Sequence, residues 1–337
     1  MPSSISLQAP KDASVATINK TIEEKHEVFF NHNCPLSTVH CQLSTDLKGV
    51  TRMKQRIITG VLFAIFMIAI AVLSGTPVYP FVFSLFSVIG TIEMLNCIGT
   101  RKSLRTTVPS VVYALLCPII AYNFRYGVIF ALTVCFMMVM LMSLVFKNEN
   151  IKTEDVCTTY TMVSYVAICF SSIVRLRYVT TETGVDTGEP IGQYFFLLIF
   201  VAAWITDTFA YFTGFFFGKH KLCPKISPKK TIEGALGGTI FCIIAFVVYA
   251  IIISKINPEL KPNFIGFAIV GLIMSVLSQT GDLLASVIKR TYGIKDYGNL
   301  FPGHGGVLDR FDSVLILAPF LLVLIEDAQF LQLFVKF

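Results

Sequence analysis

Charge is what this chain has least of. Lys, Arg, Asp and Glu make up 14% of its 337 residues, against roughly 25% in a soluble domain. With 54% hydrophobic residues and a mean hydropathy of +0.71, that shortfall excludes an ordinary water-soluble globule and leaves a polytopic membrane protein. The nine cysteines form no Cys-x-x-Cys pair, and Cys97, Cys117, Cys135 and Cys169 lie within or at the ends of apolar runs. Neither a disulfide framework nor a zinc site is indicated, and these thiols read as small core residues. Residues 1–50 contain no apolar stretch and no helical period. A secretory signal peptide is therefore not expected there, and 1–52 reads as a polar, disordered tail ahead of an integral-membrane unit over 53–337. No internal repeat is visible, so an inverted-repeat transporter has no support.

What is there is a series of apolar runs long enough to span a bilayer, or nearly so. They cover about 57–74, 78–98, 107–123, 127–146, 156–174, 193–217, 235–254, 263–281 and 313–333. The second contains Glu93 and Asn96, which suggests an end at the interface. The sixth contains Asp207 and is a candidate for a break there. With the N-terminus in the cytoplasm, 17 Lys and Arg fall on the cytoplasmic side of this layout and 6 on the other. That asymmetry follows the positive-inside rule. It predicts an all-α protein of about nine transmembrane helices, with polar segments 218–233 and 282–312 both cytoplasmic. The net charge of +6 is then topology, and no nucleic-acid partner is implied.

Chemistry concentrates in Ser286–Asp312. This stretch places Lys289, Arg290, Lys295 and Arg310 beside Asp296, Asp309 and Asp312, around a Pro302-Gly-His-Gly-Gly306 turn. Glycines let backbone approach a ligand closely, Lys and Arg suit phosphate, and carboxylates suit a magnesium ion that bridges phosphate oxygens. Upstream, Ser278, Asp282, Ser286 and Lys289 have spacings of one helix face. Two helix ends could thus present Asp282 and Asp309 to one cation. A carboxylate inside an apolar run, such as Asp207, needs a partner, either a helix neighbour or a cation. Lys219, Ser227, Lys229 and Lys230 add ammonium and hydroxyl groups to the other polar segment.

These residues resemble the phosphatidate cytidylyltransferase (CDP-diacylglycerol synthase) family. The likeness rests on Ser286, Ile288, Lys289, Arg290, Lys295, Asp296, Pro302, His304, Gly305, Gly306, Asp309, Arg310, Phe311 and Asp312. Trp204–Gly218, Ser227–Gly234, Gln279-x-Gly-Asp282 and the opening Lys54-Gln-Arg-Ile-Ile-Thr are similar too. The likeness covers about 53 to 325.

The resemblance implies transfer of CMP from CTP to phosphatidate, giving CDP-diacylglycerol and pyrophosphate for phospholipid synthesis. It also implies a homodimer in the bilayer that needs Mg2+, with K+ as a possible second cation. Metal binding then falls to Asp282 and Asp309, with Asp312 and Asp207 behind them. Lys289, Arg290, Lys295 and Arg310 would hold the triphosphate or the developing pyrophosphate. Lys219, Ser227, Lys229 and Lys230, with Ser286, Gly305 and Gly306, would hold the phosphatidate headgroup or CTP phosphate. His304 could protonate the leaving group or fix the turn. The alternatives are a CTP-dependent lipid kinase of the dolichol or phytol type, and a cation transporter using Asp207 and Asp282. The run Asp-Gly-x-x-Ala-Arg…Asp-x-x-x-Asp of CDP-alcohol phosphotransferases is absent. The bacterial-type start points to a plasma membrane, and the polar tail leaves the endoplasmic reticulum open.

Overall fold

Each apolar run coincides with a helix. The computed structural model describes residues 59–123, 126–145, 152–179, 191–258, 261–301, 303–331 and 333–336. The tail expected over 1–52 and Pro302 of the Gly-rich turn lie outside the described residues. In chain order the long helices are α1 (Thr59–Gly75), α2 (Val78–Ile98), α3 (Leu104–Asn123), α4 (Tyr126–Val145), α5 (Thr153–Arg177), α6 (Leu198–Phe217), α7 (Ile232–Ile256), α8 (Phe264–Thr291) and α9 (Leu308–Glu326). Among the described residues seven helices are long and apolar enough to cross a membrane. Two further apolar helices differ: α1 is shorter, and α9 carries Asp309, Arg310 and Asp312 at its start. Exposed Val, Leu, Ile and Phe side chains line α1, α4, α6 and α7, a surface that water would not tolerate and lipid would. The chain is an all-α polytopic membrane protein. Among the described residues the strands are the small pairs β1 (Lys221–Cys223) with β2 (Ser227–Thr231), and β3 (Lys261–Pro262) with β4 (Val335–Lys336), both antiparallel.

The helices form two groups joined by α9. In the first, α2, α3, α4 and α5 share an apolar core that includes Leu95, Tyr113, Cys117, Phe136 and Val163. In the second, α6, α7 and α8 pack together, and α9 lies against α5, α6 and α8. The start of α9 is seated by Phe311, whose ring meets Phe86 and Phe170 at centroid distances of 5.3 Å each. Between α6 and α7 the backbones nearly touch: a Cβ at Gly234 would fall 2.6 Å from the Ala210 carbonyl, and one at Gly238 2.7 Å from that of Thr206. This close approach fixes the turn of α6 that carries Asp207.

Three boundaries differ from the sequence expectation. Helix α6 runs unbroken through Asp207, and the interruption falls at Phe196–Leu197, after the short helical turn Gly192–Phe195. A carboxylate leaves the backbone ladder intact and only its side chain needs a partner. Helix α8 continues ten residues beyond the run expected to end at 281, because its later turns are polar without ceasing to be helical. At 28 residues it is about 42 Å long, more than the roughly 30 Å hydrocarbon core. Its last third, with Asp282, Ser286 and Lys289, reaches past the depth that demands apolar side chains. Helix α9 begins at Leu308 rather than 313, so Asp309, Arg310 and Asp312 are helical.

Candidate active site

The last third of α8 faces the β1–β2 hairpin and the start of α9. Lys230, next to last on β2, places its ammonium 2.6 Å from a carboxylate oxygen of Asp282 and donates to the Gln279 carbonyl at 3.4 Å. The hairpin is held by Glu233, which accepts from the Lys219 N–H at 3.1 Å and the His220 N–H at 3.2 Å, and pairs with His220 Nδ1 at 2.6 Å. Thr231 caps α7 by accepting from the Gly234 N–H at 3.1 Å, as a helix start favours.

Asp207, Asp282 and Asp312 share one electrostatic neighbourhood. Asp207 feels Asp282, Lys230 and Arg310, and Asp312 feels Asp282, Lys289 and Asp207. Asp207 is exposed while Asp282 and Asp312 are half-buried, so the three line an open crevice between α6, α8 and α9. Gly281 lets α8 close on α9: a Cβ there would sit 3.1 Å from the Asp312 carbonyl.

Asp309 is placed differently. One of its oxygens pairs with Lys289 Nζ at 2.9 Å, and the other accepts from the N–H of Tyr297 at 2.7 Å and of Gly306 at 3.0 Å. Lys289 links it to Asp312, which the same ammonium also faces. The Lys289 ammonium lies 5.2 Å from the Tyr297 ring centroid. Burial pushes the Tyr297 phenol up from its usual range, so it stays a hydrogen-bond donor, to the Ala285 carbonyl at 3.2 Å.

The Gly-rich turn is filled by carboxylates. Gly305, at φ 85°, has no room for a Cβ beside Asp309. Gly298 and Gly306 have none beside Glu93. Glu93, from α2, accepts from the N–H of Val307 and of Leu308, each at 2.9 Å. His304 Nδ1 and Thr59 Oγ1 lie 2.6 Å apart, which ties the turn to the start of α1. Of the cations singled out in the sequence, Lys219, Lys229, Arg290, Lys295 and Arg310 are exposed, and the hydroxyl-bearing Ser227 and Ser286 are half-buried. Arg290 donates to the Ile294 carbonyl at 3.2 Å. The structure thus gathers Asp207, Lys230, Asp282, Lys289, Arg310 and Asp312. Gly305, Gly306 and His304 instead contact Asp309, Glu93 and Thr59.

A magnesium ion fits the donor set. Mg2+ takes oxygen ligands, keeps several waters and needs only one or two carboxylates beside substrate phosphates. Around Asp282 and Asp312 the oxygens include the hydroxyl of Ser313, which faces Asp207, and that of Ser278, buried and without a hydrogen-bond partner among the described residues, which is costly unless something else meets it. Among the described residues no three His, Cys, Asp or Glu side chains converge as they stand to enclose an ion.

Two contributors escaped the sequence reading. Glu93 was visible as an acid in an apolar run, and such an acid needs a partner, but backbone N–H groups more than two hundred residues away leave no sequence signal. The second is a polar seam inside α6–α8. Thr206 donates to Ser275 at 3.2 Å, Ser275 to Thr239 at 3.1 Å, and Gln279 to Ala235, Thr239 and Ser275 at 3.2 to 3.3 Å. Thr, Ser and Gln spread over three helices carry no local pattern.

Comparison with known proteins gives this geometry a family. The phosphatidate cytidylyltransferase of Bacillus subtilis (strain 168) is 30% identical over 280 residues, covering 81% of this chain and 97% of the relative. That of Staphylococcus haemolyticus (strain JCSC1435) is 32% identical over 278 residues, covering 81% and 99%. That of Staphylococcus aureus (strain COL) is 44% identical over 141 residues, covering 40% and 50%. Residues 54–327 match the Cytidylyltransferase family, and with α2 to α9, the hairpin and the charged crevice all inside that span, the chain belongs to it.

Proposed function

We propose that this protein transfers CMP from CTP to phosphatidate, giving CDP-diacylglycerol and pyrophosphate. The observation that carries this reading is the crevice in which Lys230, Lys289 and Arg310 stand among Asp207, Asp282 and Asp312, within a chain that over 81% of its length is similar to proteins named for that activity.

A phosphate oxygen of phosphatidate attacks the α-phosphorus of CTP. The new P–O bond forms as the bond from the α-phosphorus to the α,β-bridging oxygen breaks, and pyrophosphate leaves with that oxygen. Phosphatidate is already an anion, so the site needs no strong base. Its task is to bring two polyanions together and hold them in line, which is work for fixed cations. Arg310 and Lys295, both exposed, meet the triphosphate and neutralise the charge that develops on pyrophosphate. Lys229, Lys219 and Ser227 on the hairpin meet the phosphatidate headgroup as it arrives along the membrane surface. Lys289 is held in place by Asp309 and turns the rest of its field toward Asp312.

Asp282, Asp207 and Asp312 would hold Mg2+, with the Ser278 and Ser313 hydroxyls beside them, and Asp309 is left to Lys289. The ion when bound supplies positive charge to phosphate oxygens. The protein works as a homodimer with the crevice on the cytoplasmic side, in a plasma membrane of bacterial type.

Purified protein in phosphatidate-containing vesicles, given CTP labelled at the α-phosphorus, should place label in the lipid fraction as CDP-diacylglycerol with one pyrophosphate per lipid. With CTP labelled at the γ-phosphorus, label in a membrane alcohol would establish the lipid kinase instead. Cation flux without any lipid product would establish a transporter.

A further inference from the structure

The N-terminus of α9 opens directly from the Gly-rich turn, the place where a phosphate would be sought, since helix starts present unpaired N–H groups. Those groups are taken. Val307 and Leu308 donate to the two oxygens of Glu93, each at 2.9 Å. Gly306 and Tyr297 donate to Asp309 at 3.0 and 2.7 Å. Glu93 is 6% exposed and is walled by Gly298 and Gly306, where any Cβ would displace it. The glycines of the turn therefore make room for a carboxylate of the protein itself.

We propose that Glu93, on a helix outside the charged stretch, is a positioning residue for the reaction: its carboxylate stands as the built-in anion of the α9 N-terminus and sets the rotation of α9 that aims Arg310 and Asp312 into the crevice. It acts through α9 and touches no substrate. The apolar grip on Phe311 holds the start of α9 radially, through Phe83, Phe86 and Phe170. Apolar contact is non-directional, so this grip of itself leaves the start of α9 some freedom to turn on its axis, beside the hold of Asp309 on Lys289, Tyr297 and Gly306. Two charge-assisted hydrogen bonds to successive N–H groups are directional and remove that freedom. Arg310 and Asp312 follow within one turn of Leu308, so whatever angle Glu93 imposes passes directly to them. Lys289, tied to Asp309, registers α8 to the same turn.

The inference rests on the proposed function. Glu93→Gln keeps the volume but offers an amide N–H to one of the two backbone N–H groups. Its kcat for CDP-diacylglycerol should fall roughly 100-fold, the scale on which a small misplacement costs, and by more than KM for CTP rises. Glu93→Ala empties the anion position, and sodium formate, but not sodium chloride at equal ionic strength, should restore part of the lost turnover. A lost packing contact alone would give neither the kcat-weighted loss nor formate rescue. If Glu93→Ala does not fold, Glu93→Gln decides alone. Wild-type kcat in Glu93→Gln with only a lower Tm overturns the inference, as does a folded Glu93→Ala indifferent to formate. A wild type that makes no CDP-diacylglycerol overturns the reading of function as well, whereas an active wild type with an indifferent Glu93→Gln overturns this inference alone.

Discussion

The Lys230 ammonium stands 2.6 Å from the Asp282 carboxylate, so the hairpin ahead of α7 and the far third of α8 meet through a charge pair. The side chains are 24% and 29% exposed. Such a pair contributes at most about 1 kcal/mol, and its value lies in the chemistry that it places. Asp282→Asn should nearly abolish turnover with little change in Tm, because a hard cation needs the charge that is lost. Lys230→Ala should lower turnover less and raise the magnesium requirement little, since it leaves Asp282 intact. Magnesium titrations of activity beside thermal melts check both. Wild-type turnover with an unchanged magnesium requirement in Asp282→Asn would remove that residue from the site.

Asp309 and Asp312 are three residues apart and should fail in different ways. Asp309 is 4% exposed and Lys289 11%, and the loss of one member leaves the other charged in a dry place. Asp309→Asn should therefore cost about 3–5 kcal/mol of stability, read as a large fall in Tm. Asp312→Asn should melt near the wild-type temperature and need much more magnesium for the same rate. The reverse pattern would restore the expectation from sequence that Asp282 and Asp309 share the ion.

That expectation shows where the sequence stopped being legible. Helical spacing put Ser278, Asp282, Ser286 and Lys289 on one face of α8, and the structure keeps them on one helix. The apolar runs marked each long helix, because burial in lipid is written residue by residue. Which carboxylates meet is not written so. Asp309 and Asp282 looked like partners because both end a span beside phosphate-binding residues, yet a single turn of α9 sends Asp312 to Asp282 and Asp309 to Lys289. The glycines of the turn were legible as close approach. What approaches them, Glu93 from α2, was not, because backbone N–H groups are the same in every sequence.

Tyr297 gives a pH signature. Burial raises its phenol pKa in the folded protein, while the unfolded chain keeps the usual value of about 10. The unfolded state therefore loses its proton first as pH rises. The stability tied to the neutral phenol is complete below about pH 10 and declines above it. Tyr297→Phe has no proton to lose, so its Tm should fall less steeply than wild type between about pH 9 and 11. Parallel melts with equal slopes would show that Tyr297 titrates alike in both states.

The orientation of the chain is open to a direct test. The distribution of Lys and Arg, 17 against 6, predicts the hairpin and the α8–α9 turn together in the cytoplasm and the α7–α8 connection opposite. Helices α6 to α9 agree in one respect: Lys230 contacts Asp282 and Lys289 contacts Asp309, so hairpin and turn must share a side whatever that side is. The test therefore needs three positions. Lys225, Asn299 and Lys255 are exposed and can each be made Cys in a chain whose natural cysteines have been replaced, including exposed Cys135 and Cys157. In sealed right-side-out vesicles a membrane-impermeant maleimide should label Lys255→Cys alone, and Lys225→Cys and Asn299→Cys only after the vesicles are opened. Labelling of Lys225→Cys and Asn299→Cys from outside, with Lys255→Cys protected, would invert the orientation and put the crevice on the wrong side for cytoplasmic CTP. Labelling of Lys225→Cys and Asn299→Cys from opposite sides would contradict the charge pairs themselves.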